Sequence, residues 1–180
     1  MKNLFYLIIC MCITSQAQNK FLTKTGMVTF EASVPAFEEV VAKNNAVTAI
    51  LNIENHEFAA LVLIKGFRFK NALMEEHFNE NYAESDTYSK ATFKGVIKDF
   101  SNAILQSEKD IMLNGELFFH GKTKKIENIR TTLIKDHDIV KMSGSFNVKS
   151  SDFDIVIPKI VRNKVSEVVK ITFNFELKLQ

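Results

Sequence analysis

The run that closes the chain constrains the fold more than any other stretch. From Val169 to Leu179, apolar Val169, Ile171, Phe173, Phe175, Leu177 and Leu179 alternate with Lys170, Thr172, Asn174, Glu176 and Lys178. A helix scatters a period-two pattern around its circumference, whereas a strand sorts it onto one buried and one wet face. The same alternation recurs upstream. Val28, Phe30 and Ala32 oppose Thr29 and Glu31 between Met27 and Ser33, and Pro35 ends that run. Val47 to Asn52 and Phe58 to Ile64 read as two strands joined through Glu54, Asn55 and His56. The second of these has hardly any polar residue, which predicts burial on both faces beneath a helix that begins near Asn71. Ala91 to Phe100 puts Ala91, Phe93, Gly95 and Ile97 inward, and Asp110 to Phe119 does the same with Ile111, Leu113, Gly115, Leu117 and Phe119. Ile129, Thr131 and Leu133 share a face before a turn at Lys135 to Asp138, and Val140, Met142, Gly144, Phe146 and Val148 follow. Ala36 to Lys43 allows a helical turn, ended by Lys43, Asn44 and Asn45. Ser150 to Lys164 mixes turn residues with Phe153, Ile155 and Ile157, and Pro158 argues against a central strand there.

About eight short strands joined by hairpin-like turns predict an all-β, antiparallel fold, and closure into a barrel removes the edges that such a set would expose. An eight-stranded interior can be filled by side chains or can hold one small ligand. The inward glycines at 95, 115 and 144 suit vacated volume or barrel bends equally. One stretch breaks the alternation. Between Gly66 and Gly95, Leu73, Met74, His77, Phe78, Asn81 and Tyr82 recur at helical spacing, with Glu75, Glu76 and Glu80 between them and Phe67 and Phe69 leading in. The spacing predicts a short amphipathic helix that closes one end of the β-structure.

The beginning of the chain reads as a targeting segment. Lys2 and Asn3 precede an apolar run from Leu4 to Ile13, too short for the roughly 20 residues that span a bilayer. Ser15, Gln16 and Ala17 then offer small residues for cleavage. The expectation is a signal peptide over residues 1–17, a single domain over 18–180, and export to the periplasm or beyond. Cys10 and Cys12 both lie in the predicted signal, so the mature chain would carry no cysteine. Ile9 before Cys10 is not the small residue that a lipoprotein signal needs, which excludes that reading.

A net charge of +2 gives no field that would favour nucleic acid, and Lys122, Lys124 and Lys125 make too short a basic stripe to do so. No nucleophile elbow, phosphate loop or dinucleotide fingerprint is present. His77 and Glu80 lie one helical turn apart but need a third ligand for a metal, and His56, His120 and His137 fall in predicted turns. No metal or other cofactor is therefore predicted. Glu75, Glu76, Glu80, Glu84 and Asp86 read as a solvated acidic surface. Sixteen phenylalanines fit either a packed aromatic core or an apolar cavity, since both use the same residue types. A lipid-facing outer-membrane barrel would carry Trp and Tyr girdles, and this chain has no Trp and three Tyr.

Several motifs in order resemble the YceI-like family from Gly26 onward: Tyr88-Ser89-Lys90-Ala91-Thr92-Phe93 after the helical stretch, Gly115-Glu116-Leu117 with His120-Gly121-Lys122-Thr123-Lys124, and Ile157-Pro158 with Lys164-Val165-Ser166. Ser89 stands where that family usually carries proline. The resemblance implies an eight-stranded lipocalin-like barrel with a helical lid, whose apolar tunnel takes a polyisoprenoid or another long-chain, lipid-like amphiphile without catalysis. By the same resemblance Phe67, Phe69, Leu73, Met74, Phe78, Phe93, Leu117, Phe146, Phe173 and Phe175 would line the tunnel or its mouth. Asn71, His77, Asn81 and Tyr82 would meet a headgroup. The alternatives are a barrel with a filled core that acts as a structural or interaction protein, and a lipid-modifying enzyme using His77 and a carboxylate, for which no catalytic set can be assembled.

Overall fold

The structure, a computed structural model, describes residues 20–98, 100 and 109–180; the predicted signal peptide and both cysteines lie outside them. The strands are β1 (Lys20–Ser33), β2 (Val41–Asn52), β3 (Glu57–Leu63), the two-residue β4 (Arg68–Phe69), β5 (Lys90–Ile97), β6 (Lys109–Phe119), β7 (Lys122–Asp136), β8 (Ile139–Lys149) and β9 (Val165–Leu179). One short helix, α1 (Ala72–His77), continues into a π-helical turn, Phe78–Tyr82. The spatial order is β1-β9-β8-β7-β6-β5-β3-β2, and β2 returns to β1, so eight antiparallel strands close on themselves. β4 adds to the start of β2 at Ala42 and Lys43. The expected all-β, eight-stranded antiparallel barrel with a helical lid is the observed fold.

Alternation dictates the inner face. In β9, Phe173, Phe175 and Leu177 are buried while Lys170, Asn174, Glu176 and Lys178 are exposed or nearly so. The β6–β7 hairpin turns on His120 and Gly121, both with left-handed φ (47° and 74°), the pair of conformations that a two-residue type I′ turn needs. A bulge between Leu113 and Gly115 opposite Ile126 and Ile129 adds local twist, and Asn128 there takes a positive φ and donates its N–H to the Asn114 side chain at 2.7 Å.

Antiparallel order places the start of β1, the end of β2, the start of β3, the end of β5 and the end of β9 at one end of the barrel. Side chains fill that end. Phe21, Leu51, Ile97, Leu133, Val140 and Leu177 are all 2% exposed or less. The lid and the segment between β8 and β9 belong to the opposite end.

Two expectations fail. Ala36–Lys43 forms no helical turn: a tight turn follows Val34, and Val41 to Lys43 already pair with Glu31 to Thr29 of β1. Asn44, expected to end that turn, lies inside β2. It is buried, donates to the Leu63 carbonyl at 2.9 Å and accepts from the Ala46 N–H at 2.9 Å, so a bulge absorbs the polar residues inside β2. β3 is buried on one face only, since Leu61 and Leu63 are 37% and 56% exposed. The helix lies across the barrel mouth instead of covering the outside of β3.

Candidate ligand-binding cavity

The lid end holds a cavity of about 360 Å³. Its walls come from inward positions of the strands: Val28 and Phe30 of β1, Val62 of β3, Leu117 and Phe119 of β6, Phe146 and Val148 of β8, and Val169 and Ile171 of β9. The chain entering the lid, tied to the barrel by β4, contributes Phe67 and Phe69, and the lid itself Met74, His77, Phe78 and Tyr82. A strap between β8 and β9 supplies Phe153, Ile155, Ile157 and Val161. Besides His77 and Tyr82 of the lid, the polar lining residues are Glu38, Lys149, Ser150, Lys164 and Ser166, exposed or half-buried at the rim.

Local chemistry explains the lid. Asn71 is extended, and its side chain accepts the Leu73 N–H at 2.9 Å, which is an N-cap. Glu75 reaches back to the entering chain, accepting the Phe69 N–H at 3.1 Å and pairing with Arg68 at 3.0 Å. The acidic face is thus partly a brace. Phe78 anchors the lid to the barrel: its ring centroid lies 5.0 Å from Phe30, 5.3 Å from Phe69 and 5.9 Å from Phe67. No lid residue from Ala72 to Tyr82 is fully buried, because this element roofs a cavity and does not pack into a core.

The strap is clamped by the β6–β7 hairpin. Lys124 meets Asp152 at 2.7 Å, and Lys122 meets Asp154 at 2.6 Å. Asp152 also accepts the Lys149 N–H at 3.1 Å, and the Lys124 hydrogen bond followed by this backbone one holds its carboxyl below the usual carboxylate range. Lys122 and Lys124 are therefore clamp residues. His120 sits in the turn expected for it, and its side chain is mostly buried there. Its side chain is only 11% exposed, its Nδ1 lies 2.8 Å from the Phe153 carbonyl, and its ring packs on Tyr88 at 4.4 Å. A carbonyl only accepts, so Nδ1 carries the proton. Nε2 lies 3.5 Å from Glu84 Oε1 without a hydrogen bond to it, so the imidazole is bonded to the strap and only adjacent to the chain leaving the lid. His120→Ala strands the Phe153 carbonyl and is expected to lower unfolding stability by about 1–2 kcal/mol. Urea titration checks this, as a lower midpoint at unchanged slope.

The predicted site residues separate into three groups. Phe67, Phe69, Met74, His77, Phe78, Tyr82, Leu117 and Phe146 converge on the cavity. Phe93, Phe173 and Phe175 lie deeper, around a second void of about 60 Å³ that Leu117 and Phe146 also border. Leu73 is 56% exposed and turned away from the interior, and Asn71 and Asn81 are exposed outside the lining. Phe30, Ile171 and the strap residues were missed as site residues. Phe30 and Ile171 were legible from their faces, because each shares one with a residue already placed inward. In the strap Phe153, Ile155 and Ile157 also stand two apart, but the turn residues among them and Pro158 argue against a strand there.

The inner glycines have a clear outcome. A Cβ on Gly115 would sit 2.5 Å from the Phe93 ring, one on Gly95 2.8 Å from the same ring, and one on Gly144 2.7 Å from Phe173. Aromatic rings and backbone carbonyls of the neighbouring strands together close these positions to a side chain. Among the described residues no group of three His, Cys, Asp or Glu side chains converges as a metal site.

An eight-stranded barrel, filled at one end and hollow beneath a lid at the other, defines a lipocalin-like cup. The YceI-like domain model matches residues 17–177, and the chain belongs to that family. No curated protein matches it. Solved structures show the same fold at low identity. A polyisoprenoid-binding domain from Saccharophagus degradans superposes with a TM-score of 0.76 at 14% identity, covering 91% of this chain and 99% of the other. BcnA from Burkholderia cenocepacia gives 0.69 at 14%, covering 84% and 95%. A YceI protein from Campylobacter jejuni gives 0.60 at 15%, covering 82% and 88%.

Proposed function

We propose that this protein is an exported binding protein that holds a polyisoprenoid or lipid-like amphiphile in its barrel, and that it is not an enzyme. The observation that carries this reading is the cavity itself, walled almost wholly by carbon with its charged groups at the rim. Such a site takes a chain out of water at about 0.8 kcal/mol per buried methylene and leaves the headgroup wet. Membership of the YceI-like family and the likeness to a polyisoprenoid-binding domain support the same ligand class. The rim presents both charge signs, Glu38 against Lys149 and Lys164. His77 and Tyr82 border the cavity, where they can meet a headgroup.

Export follows from the predicted signal peptide over residues 1–17, and a periplasmic or secreted location from export. No described helix is long and apolar enough to cross a membrane. The outward positions of β9 carry Lys170, Glu176 and Lys178, where a lipid-facing barrel would place apolar residues.

Native mass spectrometry of protein purified from an exporting host without detergent tests the reading. The expected result is a polypeptide beginning at Gln18 with a discrete mass excess that organic solvent extracts as a chain-bearing molecule. A bare mass that stays bare after incubation with isoprenoids and fatty acids would overturn it.

A further inference from the structure

Among the described residues the interior is not a through-tunnel. Below the cavity a connected set of rings crosses the barrel. Phe146 lies 6.2 Å from Phe93, Phe93 lies 6.2 Å from Phe58, Phe58 lies 5.6 Å from Phe175, and Phe175 stacks on Phe173 at 5.5 Å with 17° between planes. The inner glycines let Phe93 and Phe173 lie flat against the wall, so these rings are set by the backbone. Phe58, Phe93, Phe173 and Phe175 are all under 10% exposed. Beneath them the described side chains that point into the barrel, among them Phe21, Leu51, Leu133 and Leu177, are fully buried. The rings form a floor.

We infer that this floor makes the protein a chain-length gauge: it binds the first dozen or so carbons of a single-chain amphiphile and gains nothing from those beyond. The inference rests on the proposed ligand class and adds the size limit. Its capacity follows from volume. A cavity of roughly 150 Å³ holds one benzene, which is six carbons, so by proportion 360 Å³ holds roughly fourteen. The second void of 60 Å³ adds room for about two more only if Leu117 or Phe146 shifts. A longer chain must leave its remainder at the mouth, in water.

The test is a calorimetric titration of detergent-free mature protein with n-alkanoic acids from about eight to about twenty carbons, each kept below its micelle concentration. Affinity is expected to rise about fourfold per methylene up to roughly twelve to fifteen carbons and then level off. Phe93→Ala removes part of the floor and is expected to move the break to longer chains. Phe146→Ala does the same from a half-buried position where folding is less at risk, and a cooperative melt qualifies each variant. Affinity that climbs through the whole series without a break would overturn the gauge while leaving lipid binding intact. A break that stays in place in a folded Phe146→Ala protein would overturn the assignment of the floor. Absence of binding by every chain length would overturn the gauge together with the proposed function.

Discussion

Gly115→Val is expected to be the most damaging single substitution in the barrel, costing at least about 3 kcal/mol, at or beyond the upper end of overpacking effects. Gly115 pairs directly with Gly95 across β5 and β6. A Cβ there would meet the Lys94 carbonyl oxygen, the Phe93 ring at 2.5 Å and the Gly95 Cα at 2.8 Å. Two of those three neighbours are backbone, so no change of rotamer relieves the clash. Denaturant unfolding measures the loss, and a double-mutant cycle with Phe93→Ala divides it. Removing the ring should recover only part of the stability, because the backbone contacts remain. Full recovery would show that the ring alone is the obstacle and that the two strands have room to spare.

Phe78→Ala should separate function from stability. The Phe78 ring touches Phe30, Phe67 and Phe69, and each such aromatic pair contributes roughly 0.5–1.5 kcal/mol beyond its buried area. Losing them would shift lid closure by about 2–3 kcal/mol, so bound ligand should leave roughly 30- to 150-fold faster. The barrel closes through β1–β2 pairing without the lid, so the melting temperature should fall by only about a few degrees. Stopped-flow release of a fluorescent fatty acid reads the first quantity and a thermal melt the second. A large fall in melting temperature with unchanged release would mean that the Phe78 cluster belongs to the core and does not hold a lid.

The barrel was legible because period two is unambiguous wherever one face is buried. β9, β8, β6 and β5 follow the alternation almost residue for residue. Composition misled where it replaced period. β3 looked doubly buried because Leu61 and Leu63 are apolar, yet both stand on the outer face. Asn44 and Asn45 looked like a terminator, but a bulge and a hydrogen bond to the Leu63 carbonyl keep them within β2. The helix was visible at its spacing, and its N-cap and Glu75 brace are local, but which of its side chains face inward depends on what lies beneath. That is why Met74 enters the cavity while neighbouring Leu73 does not. His120 was the hardest to read. Its hairpin turn was sequence-evident, but its neighbours Phe153 and Glu84 lie 33 and 36 positions away, and only the closed barrel brings them together.

The ring floor also governs the order of events in ligand exchange. With one mouth and a solid base among the described residues, an incoming molecule cannot push its predecessor out from behind. On the proposed function the two occupants must use the same doorway in turn, with an empty cup between them. Unloading is then a dissociative step, and its rate belongs to the lid and the departing chain alone, however crowded the solution is with replacements.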